Sequence, residues 1–509
     1  EGVEAAEPVT QLTTLPNGVR VITESSWGVG ASMAIFFGTG SRVETQVTHG
    51  SSHFLQHLAF KASVDKSHFM MTREIEMLGG HVAAGAGRDC IMYAGECLSA
   101  DAPALFELMA ESALKPRLEK LDVDNARALV FNDHQNQMKN GAGAVQEVLH
   151  AVAYQGQTLG ASVMCDPHAA EMMQGSTIDK FLQETVSPSR VIVVGVGVEH
   201  ARMLETVEKV FGEMASSSPA EPELATYYGG DMRMQGEPGQ AHIAIALEGV
   251  ACDDKDMLAL ATLQSMLGGG DQFSAGGPGK GLTSRIFRNV LSNPEVLTAN
   301  CINVSYKDSG LFGVQATCDS QYADKTVKLL TQELSRLRKP FTEEEVSRAK
   351  NMTRSSLFLN LETKGIVCED LGRQVLFYGK RRSGKEIADQ INALTAADLS
   401  NAAQRVLATT PSVAAYGDTG FVPQYDEIAA MLQKQREAER DRERRRQLLG
   451  GSKLRPASQG VVAPYAESVP GSVQAQYGLS YCEQSQREER RFQAQGAGLE
   501  QSRQVFIKK

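Results

Sequence analysis

The sequence predicts an α+β protein of two homologous repeat domains, each a mixed or antiparallel sheet packed with helices, together shaped as one half of a clam shell. Three observations carry this expectation. At 509 residues the chain is too long for one ordinary core. Strand-length apolar runs alternate with stretches of helical periodicity. The order of these elements then repeats at an offset of about 220 residues, as a duplicated domain would require.

Taken in order, Leu12 to Thr23 reads as strand–turn–strand around Pro16-Asn17-Gly18, and Ala31 to Phe37 as a strand ending at Gly38-Thr39-Gly40. A helix carrying a histidine pair follows. Strand-like stretches come next at His81–Ala86 and Cys90–Cys97, then helices over Ala102–Leu114 and Val123–Met138. Val191 to Val198 is a short apolar strand and Ala201 to Met214 a helix.

The second half gives a strand at Ala241–Leu247, a helix at Lys255–Leu267, a strand pair at Thr298–Tyr306 and Gly310–Cys318, helices at Tyr322–Leu337 and Thr342–Leu359, and a strand at Val413–Tyr416. The turn Gly87-Arg88-Asp89-Cys90 resembles Lys307-Asp308-Ser309-Gly310 at the equivalent place. The reading divides the chain into a first domain at 1–215, a linker at 216–232 containing the Ser- and Pro-rich run Ser216–Glu223, and a second domain at 233–423. A charged helix at 424–449 includes the mixed-sign run Lys434–Arg446, and a low-complexity extension fills 450–509.

Composition narrows the function classes. Hydrophobic content of 42% and charged content of 22% are those of a globular protein, and no apolar run approaches membrane-spanning length, so any membrane attachment would be indirect, through partners. A net charge of −10 argues against nucleic acid as a partner. The eight cysteines include no C-x-x-C pair, so buried reduced thiols are expected rather than a disulfide framework. The first residue is Glu1, which reads as a mature chain lacking its targeting segment.

The chemistry concentrates in His53-Phe54-Leu55-Gln56-His57. On a helix His53 and His57 lie one turn apart on one face, where two imidazoles can share a metal. The inverted zincin pattern H-x-x-E-H uses this spacing with the glutamate as general base. Here Gln56 stands at the base position, and a carboxamide accepts no proton at neutral pH. A third ligand would come from the long helix, where Asp133 and His134 are adjacent; Asp133 is preferred, although it is one methylene shorter than glutamate. The alternative is that His53, His57 and Asp133 are polar groups hydrogen-bonded without metal. No cofactor is expected, zinc on these three being the one candidate. His49, His81 and His168 read as surface or cap histidines.

A second signal is the run Gly268-Gly269-Gly270-Asp271-Gln272-Phe273-Ser274-Ala275-Gly276-Gly277-Pro278-Gly279-Lys280-Gly281. It fails as a phosphate loop because Lys280 is followed by Gly281, Ser274 holds the opening position, and the preceding element reads as a helix. A mobile flap over a cleft fits better, with Gly268, Gly269, Gly270, Phe273, Ser274, Gly276, Gly277, Gly279, Lys280 and Gly281 as candidate substrate-binding residues.

At these two motifs the chain resembles the mitochondrial processing peptidase family of pitrilysin-type inverzincins, over residues 8–425. The run Phe273–Gly281 is similar to the family's α-subunit glycine-rich loop, and His53–Lys61 to the β-subunit metal motif with one change. Gly40-Ser41-Arg42-Val43-Glu44 is also family-like. The resemblance implies a non-catalytic subunit paired with an active zinc-bearing β subunit in the mitochondrial matrix. It implies binding of extended presequence peptides, a place among the matrix-side core subunits of cytochrome bc1, or both. An endopeptidase active on its own is the rival reading.

Overall fold

The computed structural model describes residues 8–214, 221–272 and 281–432. The first half contains β1 (Thr10–Thr14), β2 (Arg20–Glu24), β3 (Gly30–Phe37), β4 (His81–Ala86), β5 (Ile91–Leu98) and β6 (Val191–Val196). Its helices are α1 (Ser51–Leu58), α2 (His68–Met77), α3 (Ala102–Leu114), α4 (Lys120–Lys139), α5 (Gly141–Ala153), α6 (Pro167–Met172), α7 (Gly175–Thr185) and α8 (His200–Phe211). The second half contains β7 (Gly230–Gln235), β8 (Gln240–Glu248), β9 (Gly269–Asp271), β10 (Val296–Ser305), β11 (Gly310–Asp319) and β12 (Ser412–Gly417). With them go α9 (Met257–Leu267), α10 (Arg285–Asn289), α11 (Ala323–Arg336), α12 (Glu343–Asn360), α13 (Lys364–Tyr378), α14 (Gly384–Ala393) and α15 (Ala396–Val406).

Each half forms one six-stranded sheet, ordered β1-β2-β6-β3-β5-β4 and β7-β12-β8-β11-β10-β9. Setting aside β1 and β9, five strands of one sheet correspond to five of the other in order. Each set holds one parallel pair, β2 with β6 and β7 with β12. The extra strands sit on opposite edges: β1 extends the first sheet beyond β2, and β9 extends the second beyond β10. The duplicated α+β architecture is therefore present in the connectivity itself.

The central strands of each sheet are buried on both faces, which the side-chain alternation of a strand makes possible. In β3, Met33, Ile35 and Phe37 enter one core with α3 and α8, while Ala34 and Phe36 enter a second core on the opposite face. In β8, Ile243, Ile245 and Leu247 pack toward α9 and α11, and Ala244 and Ala246 face the other way.

The covers of those second faces are exchanged between the halves. Val367, Cys368, Leu371 and Val375 of α13 pack on the first sheet, and Ala144, Val145, Val148 and Leu149 of α5 on the second. Close approach depends on small residues. A Cβ on Gly372 would lie 2.1 Å from the Phe36 ring, and one on Gly141 would lie 2.1 Å from His242. Residues 197–229 lie between the last strand of the first sheet and the first strand of the second, and each sheet takes one covering helix from the other half.

The two hairpin turns singled out in the sequence meet at this junction. Arg42 donates to Asp89 in the β4–β5 turn at 3.2 Å, to Asp308 in the β10–β11 turn at 2.8 Å, and to the carbonyl of Glu223 at 2.7 Å. Arg88 donates to Glu147 of α5 and to the carbonyl of Leu159. Like turns from the two halves therefore share one arginine.

Several elements depart from expectation. The sequence reading placed no helix between residues 139 and 190, where α5, α6 and α7 stand, and omitted α2, α13, α14, α15 and β7. Helix α4 starts at Lys120 rather than Val123, and the short α10 starts at Arg285 behind a Ser284 cap. The glycine-rich run follows α9 directly, and its residues Gly269–Asp271 form the short strand β9, which the sequence reading did not expect. Residues 425–432 are helical; the rest of the expected charged helix, the extension at 450–509 and linker residues 216–220 lie outside the described residues. No helix among the described residues is long and apolar enough to cross a membrane.

Candidate functional site

Helix α1 is presented by the loop that leaves β3. Gly40 passes so close to the β4–β5 turn that a Cβ there would lie 2.3 Å from the Gly87 carbonyl oxygen. A 3-10 turn at Ser41–Val43 then brings Glu44 to the start of α1. The Glu44 carboxylate accepts from the backbone N–H of Gly50 at 2.7 Å and of Ser52 at 2.8 Å, capping the helix from outside its own sequence. Gly50 has φ +85°, and Cys165 Sγ fills the space a side chain would need, so two constraints favour glycine there. Phe54, Leu55 and Leu58 anchor α1 in the core, leaving His53, Gln56 and His57 on its working side.

The His53 and His57 rings lie with centroids 5.0 Å apart, tilted 55° to one another. Asp133 reaches them from α4: its Oδ2 lies 3.4 Å from His53 Nε2 and 2.8 Å from His57 Nε2. These three form the one metal-competent grouping of ligand atoms found among the described residues, all within 4.8 Å of one another. Neighbouring His134 is not part of it. His53 is nearly inaccessible and Asp133 is partly open, so the cluster faces solvent on one side. Burial, and after it the neighbouring charge of His57, holds the His53 pKa below its ordinary value, which keeps the ring neutral near pH 7.

Gln56 is already engaged. Its Oε1 accepts from the backbone N–H of Ala86 at 2.9 Å. Within the β4–β5 hairpin the Gly87–Cys90 backbone bond sets the alternation, so Ala86 directs its N–H to the free edge of β4. The amide at the base position therefore braces a sheet edge.

The donor set suits zinc in kind, two imidazoles and a carboxylate, but not in polarity. The backbone N–H of Cys165 donates to His53 Nδ1 at 3.2 Å. A zinc-bound histidine does the reverse, donating its second ring N–H to an acceptor while the other nitrogen offers a lone pair to the metal. With Nδ1 accepting, the proton of neutral His53 is on Nε2, pointing at Asp133. The cluster is a hydrogen-bonded tie between α1 and α4, and the Cys165 N–H opposes the His53 tautomer that zinc binding through Nε2 requires.

His49 is more than a surface histidine. It bridges Glu44 at 3.4 Å and Asp166 at 3.5 Å, and the hydrogen bond to Glu44 raises its pKa. His81 lies exposed on edge strand β4 opposite Glu96, and His168 is exposed on α6, where its backbone N–H donates to Asp166.

Of the candidate substrate-binding residues in the glycine-rich run, Gly268, Gly269, Gly270 and Gly281 are described, in the second half. Gly268 ends α9 at φ +66°, with Ser284 where its Cβ would be. Gly269 and Gly270, in β9, pair with Asn300 and Ala299 of β10. Phe273, Ser274, Gly276, Gly277, Gly279 and Lys280 lie outside the described residues. Sequence reasoning missed Glu44, Ala86 and the Cys165 amide. Glu44 was visible only as part of a family-like run, and the other two act through backbone, which side-chain spacing does not report.

A doubled α+β sheet with a histidine pair on the helix after its third strand is the architecture of an inverted-motif zinc peptidase. Residues 20–167 match the profile described as Insulinase (Peptidase family M16), and residues 176–353 that of the Peptidase M16 inactive domain. The chain belongs to peptidase family M16, on the side of its mitochondrial-processing α subunits. It is 32% identical to the mitochondrial-processing peptidase subunit alpha of Solanum tuberosum, over 83% of this chain and 84% of that one. Identity is 35% to the probable α subunit of Schizosaccharomyces pombe, over 77% and 81%. It is 30% to that of Bos taurus, over 83% and 85%.

Proposed function

We propose that this chain is a non-catalytic α subunit that binds presequence peptides for a catalytic β subunit in the mitochondrial matrix. The carrying observation is Gln56: it lacks the carboxylate that hydrolysis needs, and its carbonyl oxygen is committed to the Ala86 N–H. Loss of a general base commonly costs about 10²-fold or more in rate. The similarity to α subunits over most of the chain supports the pairing, and segment 268–281 is assigned to presequence capture. The same chain would serve as a matrix-side core subunit of cytochrome bc1 where the two roles are combined. The proximity of His53, His57 and Asp133 is what favours the rival, an independent zinc endopeptidase.

The test is cleavage of a presequence peptide by the full chain alone, by a β subunit alone and by the pair. Turnover is expected only with β present and fastest with both. Chelator-sensitive cleavage by the isolated chain would defeat the proposal. Deleting 268–281 should weaken presequence binding by the pair, and unchanged affinity removes the capture role. Co-purification of haem-bearing subunits under mild detergent reports membership in the respiratory complex.

A further inference from the structure

We propose that the backbone amide of Cys165 is the residue-level determinant that keeps zinc out of the His53–His57–Asp133 cluster, so that restoring a carboxylate at position 56 does not restore a metal site. A backbone donor cannot reverse its polarity as a side-chain amide or hydroxyl can. Its direction is also fixed from several sides. Cys165 is fully buried, with its Sγ packed beneath Gly50. The next residue, Asp166, caps α6 by accepting from the N–H groups of His168 and Ala169. Arg127 of α4, the helix that carries Asp133, donates to the carbonyls of Ala170 and Met173 and so binds α6 to α4.

For His53 to offer Nε2 to a metal, its proton must move to Nδ1. There it would face the Cys165 N–H, leaving two buried donors opposed and neither satisfied. Second-shell partners of metal-binding histidines shift affinity by about 10- to 100-fold, and here the partner works against the metal. Gln56 and Cys165 thus act on separate properties, proton transfer and metal retention.

The probe is zinc itself, titrated into the full chain and followed by competition with a chromophoric chelator and by metal analysis after desalting. Wild type, Gln56→Glu and Cys165→Ala, which keeps the amide, are expected to retain no zinc that His53→Ala removes. Cys165→Pro lacks the N–H, alone or with Gln56→Glu, and should gain about one equivalent with affinity at least 10-fold above wild type. One equivalent bound by wild type or Gln56→Glu and lost on His53→Ala overturns the inference, as does a folded Cys165→Pro that stays metal-free. Should the proline variant not fold, the ¹⁵N spectrum of selectively histidine-labelled wild type decides. The signals lost on His53→Ala should show a protonated Nε2 and a bare Nδ1; the opposite pattern refutes the role of Cys165. These readouts do not depend on whether the chain binds presequences.

Discussion

Two buried histidines show how backbone context decides what an imidazole does. His53 accepts at Nδ1, whereas His150 of α5 donates from Nδ1 to the carbonyl of Gln146 at 2.7 Å and accepts at Nε2 from the Tyr306 hydroxyl at 2.8 Å. Burial, and after it the charge of Arg88, pushes the His150 pKa down to about 4. A histidine that is neutral when folded and protonated when unfolded withdraws stability as pH falls. The loss begins near 6.5, its ordinary value, and is complete below about 4. The wild-type melting temperature should therefore drop between pH 7 and 4.5, and His150→Gln should flatten that drop after correction for its own neutral-pH loss. A profile unchanged by the substitution would place the acid sensitivity elsewhere. At this scale the sequence was half legible. Gln56 was legible because a side-chain pattern defines the motif and one letter breaks it. Cys165 was not, because its contribution is an N–H that every residue but proline carries.

Among the elements, strands were easier to read than exchanged helices. Strand β8 and strand β6 are short apolar runs with both faces buried, and composition alone marks them. Helix α5 begins Gly141-Ala142-Gly143-Ala144, and its small residues suit a close contact with a sheet while weakening any helical signal. Helix α13 has the same problem at Gly372, and β7 is an edge strand whose sequence is mostly polar. Substituting Gly372 by Val should push α13 off β3 and cost about 1–3 kcal/mol, the usual penalty for overpacking. Urea denaturation measures it; a neutral substitution would mean that α13 does not bear on Phe36 as described. The order of elements, by contrast, was legible because duplication repeats whatever pattern each element has.

For the molecule as a whole, the two halves are joined through Arg42 as well as through exchanged helices. The guanidinium is 5% exposed and is shared by Asp89 and Asp308, themselves 11% and 13% exposed. Replacing it by Met leaves two largely buried carboxylates without their cation. The expected loss is about 3–5 kcal/mol, with faster hydrogen exchange in both hairpin turns. A loss below about 1 kcal/mol would show that solvent reaches the pair freely. The similarity of the two turns was visible in the sequence, but not that they meet, because the arginine between them comes from a different loop.

The exchange of helices also sets a timetable for the newborn polypeptide. A chain released from its N-terminus completes its first sheet at Val196, yet the helix that covers Ile22, Phe36, Ile192 and Val194 starts only at Lys364. At ordinary synthesis rates of about 5–20 residues per second, that lag of roughly 170 residues lasts about 10–30 s. Throughout it a broad greasy surface stands uncovered, inviting chaperones or self-association, and neither half can finish without the other.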